Sequence, residues 1–155
     1  MQLRTFLRTT FGMVLIVGGV MTMPYLSFAK EQEKTMNPAV YFEIPVSNIQ
    51  RAMTFYEAVF GYDFTRETIH GNQMAFFPLH ENAPGITGAL AQGEVYQPSQ
   101  QGVILYLGVN DLDAVLKRAQ HNGAKILFPK TDTNGFGWVA EIEDSEGNRI
   151  GLSQK

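Results

Sequence analysis

Beyond residue 36 the apolar and polar positions of the chain follow two periods in turn, and they do so twice. Val40-Tyr41-Phe42-Glu43-Ile44-Pro45-Val46 is β-branched and aromatic with partial alternation, which predicts a strand. Ser47-Asn48-Ile49-Gln50 matches a capping box, with Ser47 as the N-cap and Gln50 three residues on. Ile49, Ala52, Phe55, Tyr56, Val59 and Phe60 recur at helical spacing and predict one buried face, and Gly61 is placed to end that helix in the left-handed conformation. Strands are predicted at 62–69, 74–77 and 86–91, with a turn at His70-Gly71-Asn72 and a polar loop through Pro84-Gly85. Residues 92–102, rich in Gln, Gly and Pro, read as a linker.

The second run repeats the first. Val103 to Val109 predicts a strand, Asn110 a helix cap, and Asp111 and Asp113 place negative charge in the first helical turn, where it complements the dipole. Leu112, Val115, Leu116 and Ala119 mark the buried helix face, and Gly123 ends it. A short strand at 125–128, a glycine-containing loop at 134–137, a strand at 138–143, a turn at 144–148 and a last strand at 149–153 complete the pattern. The two runs align at an offset of 63 residues, placing Val46 on Val109, Asn48 on Asp111 and Ile49 on Leu112. A repeat satisfies the pattern twice, so it constrains the fold more than any single element does. One helix on a four-stranded sheet is a marginal core alone. The expectation is therefore one α+β domain at 37–155, built from two βαβββ repeats (37–92 and 102–155) that form a curved mixed sheet with a cleft.

The first 36 residues follow neither period. Arg4 and Arg8 precede an uncharged apolar run from Phe11 to Met21, Pro24 breaks it, and Ser27-Phe28-Ala29 puts small residues at a cleavage site. This is the plan of a secretory signal peptide over 1–29, with a run too short for a membrane span of about 20 residues. Residues 30–36 read as a polar tether. The expected location is periplasmic or secreted, without a stable membrane anchor once the signal is cut. The alternative is a cytoplasmic protein starting at Met36. Removing Arg4 and Arg8 would move the net charge from −3 to −5. That balance, without a Lys/Arg cluster, gives no sign of nucleic acid and slightly favours cationic ligands. The absence of cysteine removes disulfides, thiolate metal sites and a thiol nucleophile.

Three segments carry a resemblance. Val46-Ser47-Asn48-Ile49-Gln50-Arg51-Ala52 with Phe55-Tyr56 and Phe60-Gly61-Tyr62, then Val109-Asn110-Asp111-Leu112-Asp113-Ala114, then Asp144-Ser145-Glu146-Gly147-Asn148-Arg149-Ile150, resemble in order the motifs of the vicinal oxygen chelate family. This family is also called the glyoxalase/bleomycin resistance protein/dioxygenase family. The resemblance implies the fold expected above. It leaves function open, because one fold hosts many chemistries. It also implies where a divalent ion would sit: on Tyr41, near Gly88-Ala89 (taken as Ala89), on Ile104 and on Gly151. A phenol is a poor ligand for such an ion, and the other three offer no donor. The expectation is no metal and no cofactor.

Other residues bear on the site. His70, His80 and His121 have no partner at ligand spacing and read as surface histidines. Glu43 shares the Tyr41 side of its strand by alternation, and Glu141 lies mid-strand. These two are the candidate acids or bases, with Glu43 also a candidate anchor for a cationic group. Tyr41, Phe76, Phe77, Tyr106 and Trp138 are the aromatic residues expected to line a pocket, with Tyr41, Phe76, Tyr106 and Trp138 the candidates for ligand contact and Trp138 part of a lid. Three functions follow: a metal-free protein binding a small organic molecule in its cleft; a glyoxalase-like lyase, isomerase or dioxygenase with an atypical metal-dependent site; and an interaction module. The resemblance adds a homodimer as a possible assembly.

Overall fold

In this computed structural model the described residues are 38–155; the signal peptide and the tether expected from the sequence lie outside them. The first repeat runs β1 (Phe42–Pro45), α1 (Ile49–Phe60), β2 (Thr65–Ile69), β3 (Asn72–Phe76) and β4 (Gly88–Gln92). The second runs β5 (Leu105–Gly108), α2 (Leu112–His121), β6 (Lys125–Asp132), β7 (Trp138–Glu143) and β8 (Arg149–Gln154). Each repeat forms its own four-stranded mixed sheet, β1-β4-β3-β2 and β5-β8-β7-β6. In each, the first strand pairs parallel with the last, and the remaining pairs are antiparallel. This is the expected α+β fold of two βαβββ units. Among the described residues no helix is long and apolar enough to cross a membrane.

Alternation decides which side of each sheet is buried. Ile44 and Val46, Ala75 and Phe77, and Leu90 pack beneath α1, which contributes Ile49, Ala52, Phe55, Tyr56 and Val59. Leu107, Ala140, Ile142, Ile150 and Leu152 do the same with Leu112, Val115 and Ala119 of α2. The two groups form one continuous core. Phe77 is the centre of an aromatic cluster in the first half, with Phe64 at 5.0 Å, Phe42 at 5.4 Å and Tyr56 at 5.7 Å between ring centres.

The repeat is visible in individual hydrogen bonds. Val46 N–H donates to Ala91 O and Val109 N–H to Ser153 O, both at 2.9 Å. Gln92 Oε1 accepts from Ile49 N–H at the start of α1, and Gln154 Oε1 accepts from Leu112 N–H at the start of α2. The caps themselves sit one residue later than the sequence suggested. Asn48, not Ser47, accepts from Arg51 N–H, and Asp111, not Asn110, accepts from Ala114 N–H. The backbone N–H groups of Ser47 and Asn48 are both bound to Glu146 Oε2.

Strand β6 also departs from expectation, continuing past Phe128 and through Pro129 to Asp132. It lies on a sheet edge and shifts register at Ile126/Phe128 and Phe128/Thr131, which is where a strand tolerates proline.

The second repeat is stitched to the first through the β7–β8 turn. Asp144 Oδ2 accepts from the buried Tyr56 hydroxyl at 2.9 Å, and Asn148 Nδ2 donates to Pro45 O at 2.8 Å. Glu146 accepts from Ser47 N–H, Asn48 N–H and, through both oxygens, the Arg51 guanidinium.

Candidate functional site

The sheet faces turned away from the helices carry most of the candidate residues. On the first sheet, Glu43 pairs with Ala89, and Ala89 pairs with Phe76. Met74, Ala89 and Ala91 are buried there beneath Phe76 and Tyr96. Tyr96 belongs to the segment between repeats and was not a candidate from the sequence. Its hydroxyl donates to Glu43 Oε2 at 2.8 Å. That bond, with some burial and the Glu43 charge, raises the Tyr96 pKa. Tyr41 is affected in the same direction, by burial first and then by the Glu43 carboxylate. The first sheet thus gathers Tyr41, Phe76 and Tyr96 near one carboxylate.

The second sheet carries a different group. Tyr106 donates to Glu141 Oε1 at 2.9 Å, and Arg149 Nε donates to Glu141 Oε2 at 2.6 Å. Glu141 is 4% exposed, and both of its oxygens are engaged. It therefore holds Tyr106 and Arg149 in place. Burial, then the bond and charge of Glu141, raise the Tyr106 pKa, against a smaller opposing effect of Arg149. Arg149 was not a candidate from the sequence, although it lies in the closing motif.

Trp138 does not join either group. It shares the parity of Ala140 and Ile142, whose side chains are in the helix-side core, so it faces α2 rather than the open side. There Lys130 Nζ lies 5.0 Å from the Trp138 ring centre and bonds to Asp113 in the first turn of α2. The assignment of Trp138 to the ligand contacts, as a lid residue, is corrected accordingly. The structure brings together Tyr41, Glu43 and Phe76 on one sheet and Tyr106 and Glu141 on the other.

A cavity of about 310 Å³ lies where the repeats meet. Glu43 and Pro45 of β1 line it from the first repeat, Leu105 and Arg149 from the second, and Ser99 and Val103 from the connecting segment. A groove of about 910 Å³ runs elsewhere, past the start of α1 and the β7–β8 turn. Its charged walls are already paired, Arg51 with Glu146 and Lys125 with Glu143, and none of the candidate residues reaches it. The smaller cavity is the better candidate site because one charged member of each open-face group, Glu43 of the first and Arg149 of the second, lines it.

The positions implied for a divalent ion do not fit one. The core-facing parity of Ile44, Leu90, Leu107, Ile150 and Leu152 puts Tyr41, Ala89, Ile104 and Gly151 on the open side. One phenol and three residues without a donor are the wrong ligand set for a hard or borderline cation. Gly151 is also covered. A Cβ there would stand 2.5 Å from Tyr106 Cδ1, so the tyrosine ring occupies the space a ligating side chain would need. Among the described residues there is no cluster of three or more His, Cys, Asp or Glu, and His70, His80 and His121 are exposed.

The profile of the Glyoxalase/Bleomycin resistance protein/Dioxygenase superfamily matches residues 39–152, and the chain belongs to that family. Among solved structures, TnmS3, described as an antibiotic binding protein from Streptomyces sp. CB03234, is 24% identical with a TM-score of 0.56. The match covers 77% of this chain and 97% of that one. A glyoxylase/bleomycin resistance protein/dioxygenase domain from Frankia sp. EAN1pec gives a TM-score of 0.61 at 15% identity, over 77% of this chain and 98% of that one. The fosfomycin resistance protein FosX from Listeria monocytogenes gives 0.56 at 13% identity, over 77% and 91%. These likenesses concern the fold. No curated protein matches the chain.

Proposed function

We propose that this protein binds a small organic molecule, without a metal ion, in the cleft between its repeats. Tyr41, Glu43, Phe76, Tyr106, Tyr96 and Arg149 supply the contacts. The observation that carries this reading is the exchange at the family's ion positions: Tyr41, Ala89, Ile104 and Gly151, with the Tyr106 ring lying over Gly151. An apolar lining with a few fixed polar groups is the usual make-up of such a site. The sharing of the fold with an antibiotic-binding protein agrees with it. The test is elemental analysis and equilibrium dialysis against divalent ions, on protein purified without chelator. The expected result is less than a tenth of an ion per chain, about the background of adventitious binding. One tightly held ion per chain would overturn the proposal and restore the metal-dependent lyase or isomerase.

A homodimer is favoured by one observation. Val103 at the cleft is 99% exposed, and Tyr41 and Tyr106 are each 44% exposed, so a second copy across the open faces would bury apolar surface. Sedimentation of the purified protein as a monomer at micromolar concentration would remove that assembly. Export is proposed from the sequence of residues 1–29 alone. N-terminal sequencing that begins at Met1 or Met36, rather than at Lys30, would exclude cleavage there.

A further inference from the structure

The charges at the cleft do not cancel. Arg149 and Glu141 neutralise each other as an ion pair. Glu43 has no Lys, Arg or His within ion-pair distance among the described residues. Its Oε2 accepts from the Tyr96 hydroxyl, and the Tyr41 phenol lies against the same carboxylate, so its neighbours are neutral phenols and not a cation. The side chains around it are aromatic: Tyr41, Tyr96 and, across Ala89, Phe76. Ala89 adds only a methyl group beneath them. Aromatic faces carry negative potential and stabilise a cation where they repel an anion. Beyond Glu43 the cavity continues over Pro45, Val103 and Leu105, which offer apolar surface to the rest of a ligand.

We propose that the cleft selects a protonated amine attached to an apolar body, with the ammonium on the Glu43 carboxylate between the rings and the body against Val103 and Leu105. This rests on the reading of the cleft as a small-molecule site. A carboxylate ligand meets an unneutralised carboxylate and is rejected. A neutral ligand of the same shape keeps the apolar contacts and loses the attraction between opposite charges.

The test is calorimetric titration of the full protein, in low salt near neutral pH, with phenethylamine, phenethyl alcohol and phenylacetate. The amine should bind about tenfold tighter than the alcohol, the ordinary advantage of an ammonium over a neutral donor on the same carboxylate. Phenylacetate should bind more weakly than either. Glu43→Gln should bring the amine-to-alcohol ratio to about one. Glu43→Lys should reverse the preference towards phenylacetate. Glu43 is exposed, so both variants should keep the parent circular dichroism spectrum. Equal affinity for amine and alcohol in the parent, or an amine preference that survives both substitutions, overturns the inference and leaves the small-molecule reading standing. Failure of all three probes to bind at millimolar concentration overturns both.

Discussion

Replacing Glu146 by Gln should lower stability near neutral pH and leave it almost unchanged in acid. The Glu146 side chain is fully buried, and Oε2 accepts from Ser47 N–H at 3.1 Å and Asn48 N–H at 3.0 Å, where the dipole of α1 favours negative charge. Gln keeps the shape and can keep both bonds, but as neutral ones. Exchanging two hydrogen bonds to an ionised acceptor for two neutral bonds costs about 1 to 2 kcal/mol. The Arg51 pair is left out of that figure, because its guanidinium is in water and such pairs contribute little. The pH dependence has a definite sign. Burial alone raises the Glu146 pKa. The bonds from Arg51, Asn48 N–H and Ser145, with the Arg51 charge, outweigh it and hold the carboxyl below its ordinary value of 4.5. A depressed folded pKa gives stability that is present above the unfolded value and is lost as pH falls through the folded one. Protonated Glu and Gln are nearly isosteric, so the two proteins should converge in acid. Asp144 behaves oppositely. Burial raises its pKa above 3.8 despite its bonds to Asn148, Glu146 N–H and Tyr56. Its contribution therefore fades as pH rises through its folded value, but it is common to both proteins and drops out of the difference. Urea denaturation followed by circular dichroism, from about pH 7 down to about pH 3, measures the gap. A gap under about 0.5 kcal/mol at neutral pH, the size of an ordinary surface substitution, refutes the reasoning. So does a gap that persists unchanged in acid.

Four further substitutions separate packing from capping. Gly151→Ala sets a Cβ 2.5 Å from the Tyr106 ring and should displace it from Glu141, costing about 1 to 3 kcal/mol in urea denaturation; the loss should shrink when Tyr106→Ala is added, and an unchanged loss contradicts the contact. Gln92→Ala and Gln154→Ala each strip the acceptor from the first N–H of a helix and should cost about 1 kcal/mol apiece; a severalfold disparity in their denaturation midpoints would show that the equivalent bonds are not equivalent in strength. Tyr56→Phe removes one donor from buried Asp144 and should cost about 1 to 2 kcal/mol. It should also push the Asp144 pKa further up, which carboxyl-carbon NMR titration reads directly; a downward movement would mean the hydroxyl does not stabilise the ionised form.

The fold was legible because its core is written twice. The helical spacing of Ile49, Ala52, Phe55, Tyr56 and Val59, repeated by Leu112, Val115 and Ala119, required a sheet beneath each helix, and the structure supplies one for each. Boundaries were harder where two residues offered the same chemistry. Ser47 and Asn48 can both cap a helix, so their side chains fix its start only to within one position; the Glu146 side chain that binds both of their N–H groups lies about a hundred positions away. Pro129 reads as a strand breaker, and only its position on an edge strand explains its inclusion. The site was half legible. Alternation placed Tyr41 with Glu43, but the same rule, counted back from Ala140 and Ile142, places Trp138 under α2. Tyr96 sits in a stretch whose Gly, Gln and Pro residues disguise its role, and no local pattern shows that the linker folds over the first sheet.

The two kinds of position have diverged differently, and this bears on function. Where the repeats do structural work, equivalent residues do equivalent jobs: Val46 and Val109 bond the last strand, Asn48 and Asp111 cap, Gln92 and Gln154 take the first helical N–H. On the open face the equivalents are chemically unlike. Tyr41 corresponds to Ile104, Glu43 to Tyr106, and Ala89 to Gly151. An ion gripped on the axis between two repeats presents the same demand to both, which favours similar donors from each half. An organic molecule with a charged end and an apolar end presents different demands, which favours unlike halves. The first repeat's carboxylate among aromatic rings and the second repeat's self-neutralised Tyr106–Glu141–Arg149 group are what the second case requires. Giving the first repeat the open-face residues of the second tests this. The double variant Tyr41→Ile with Glu43→Tyr should fold, since these side chains point away from the core, and should lose its amine preference while keeping apolar binding. Retention of that preference would place the discriminating group outside the first repeat.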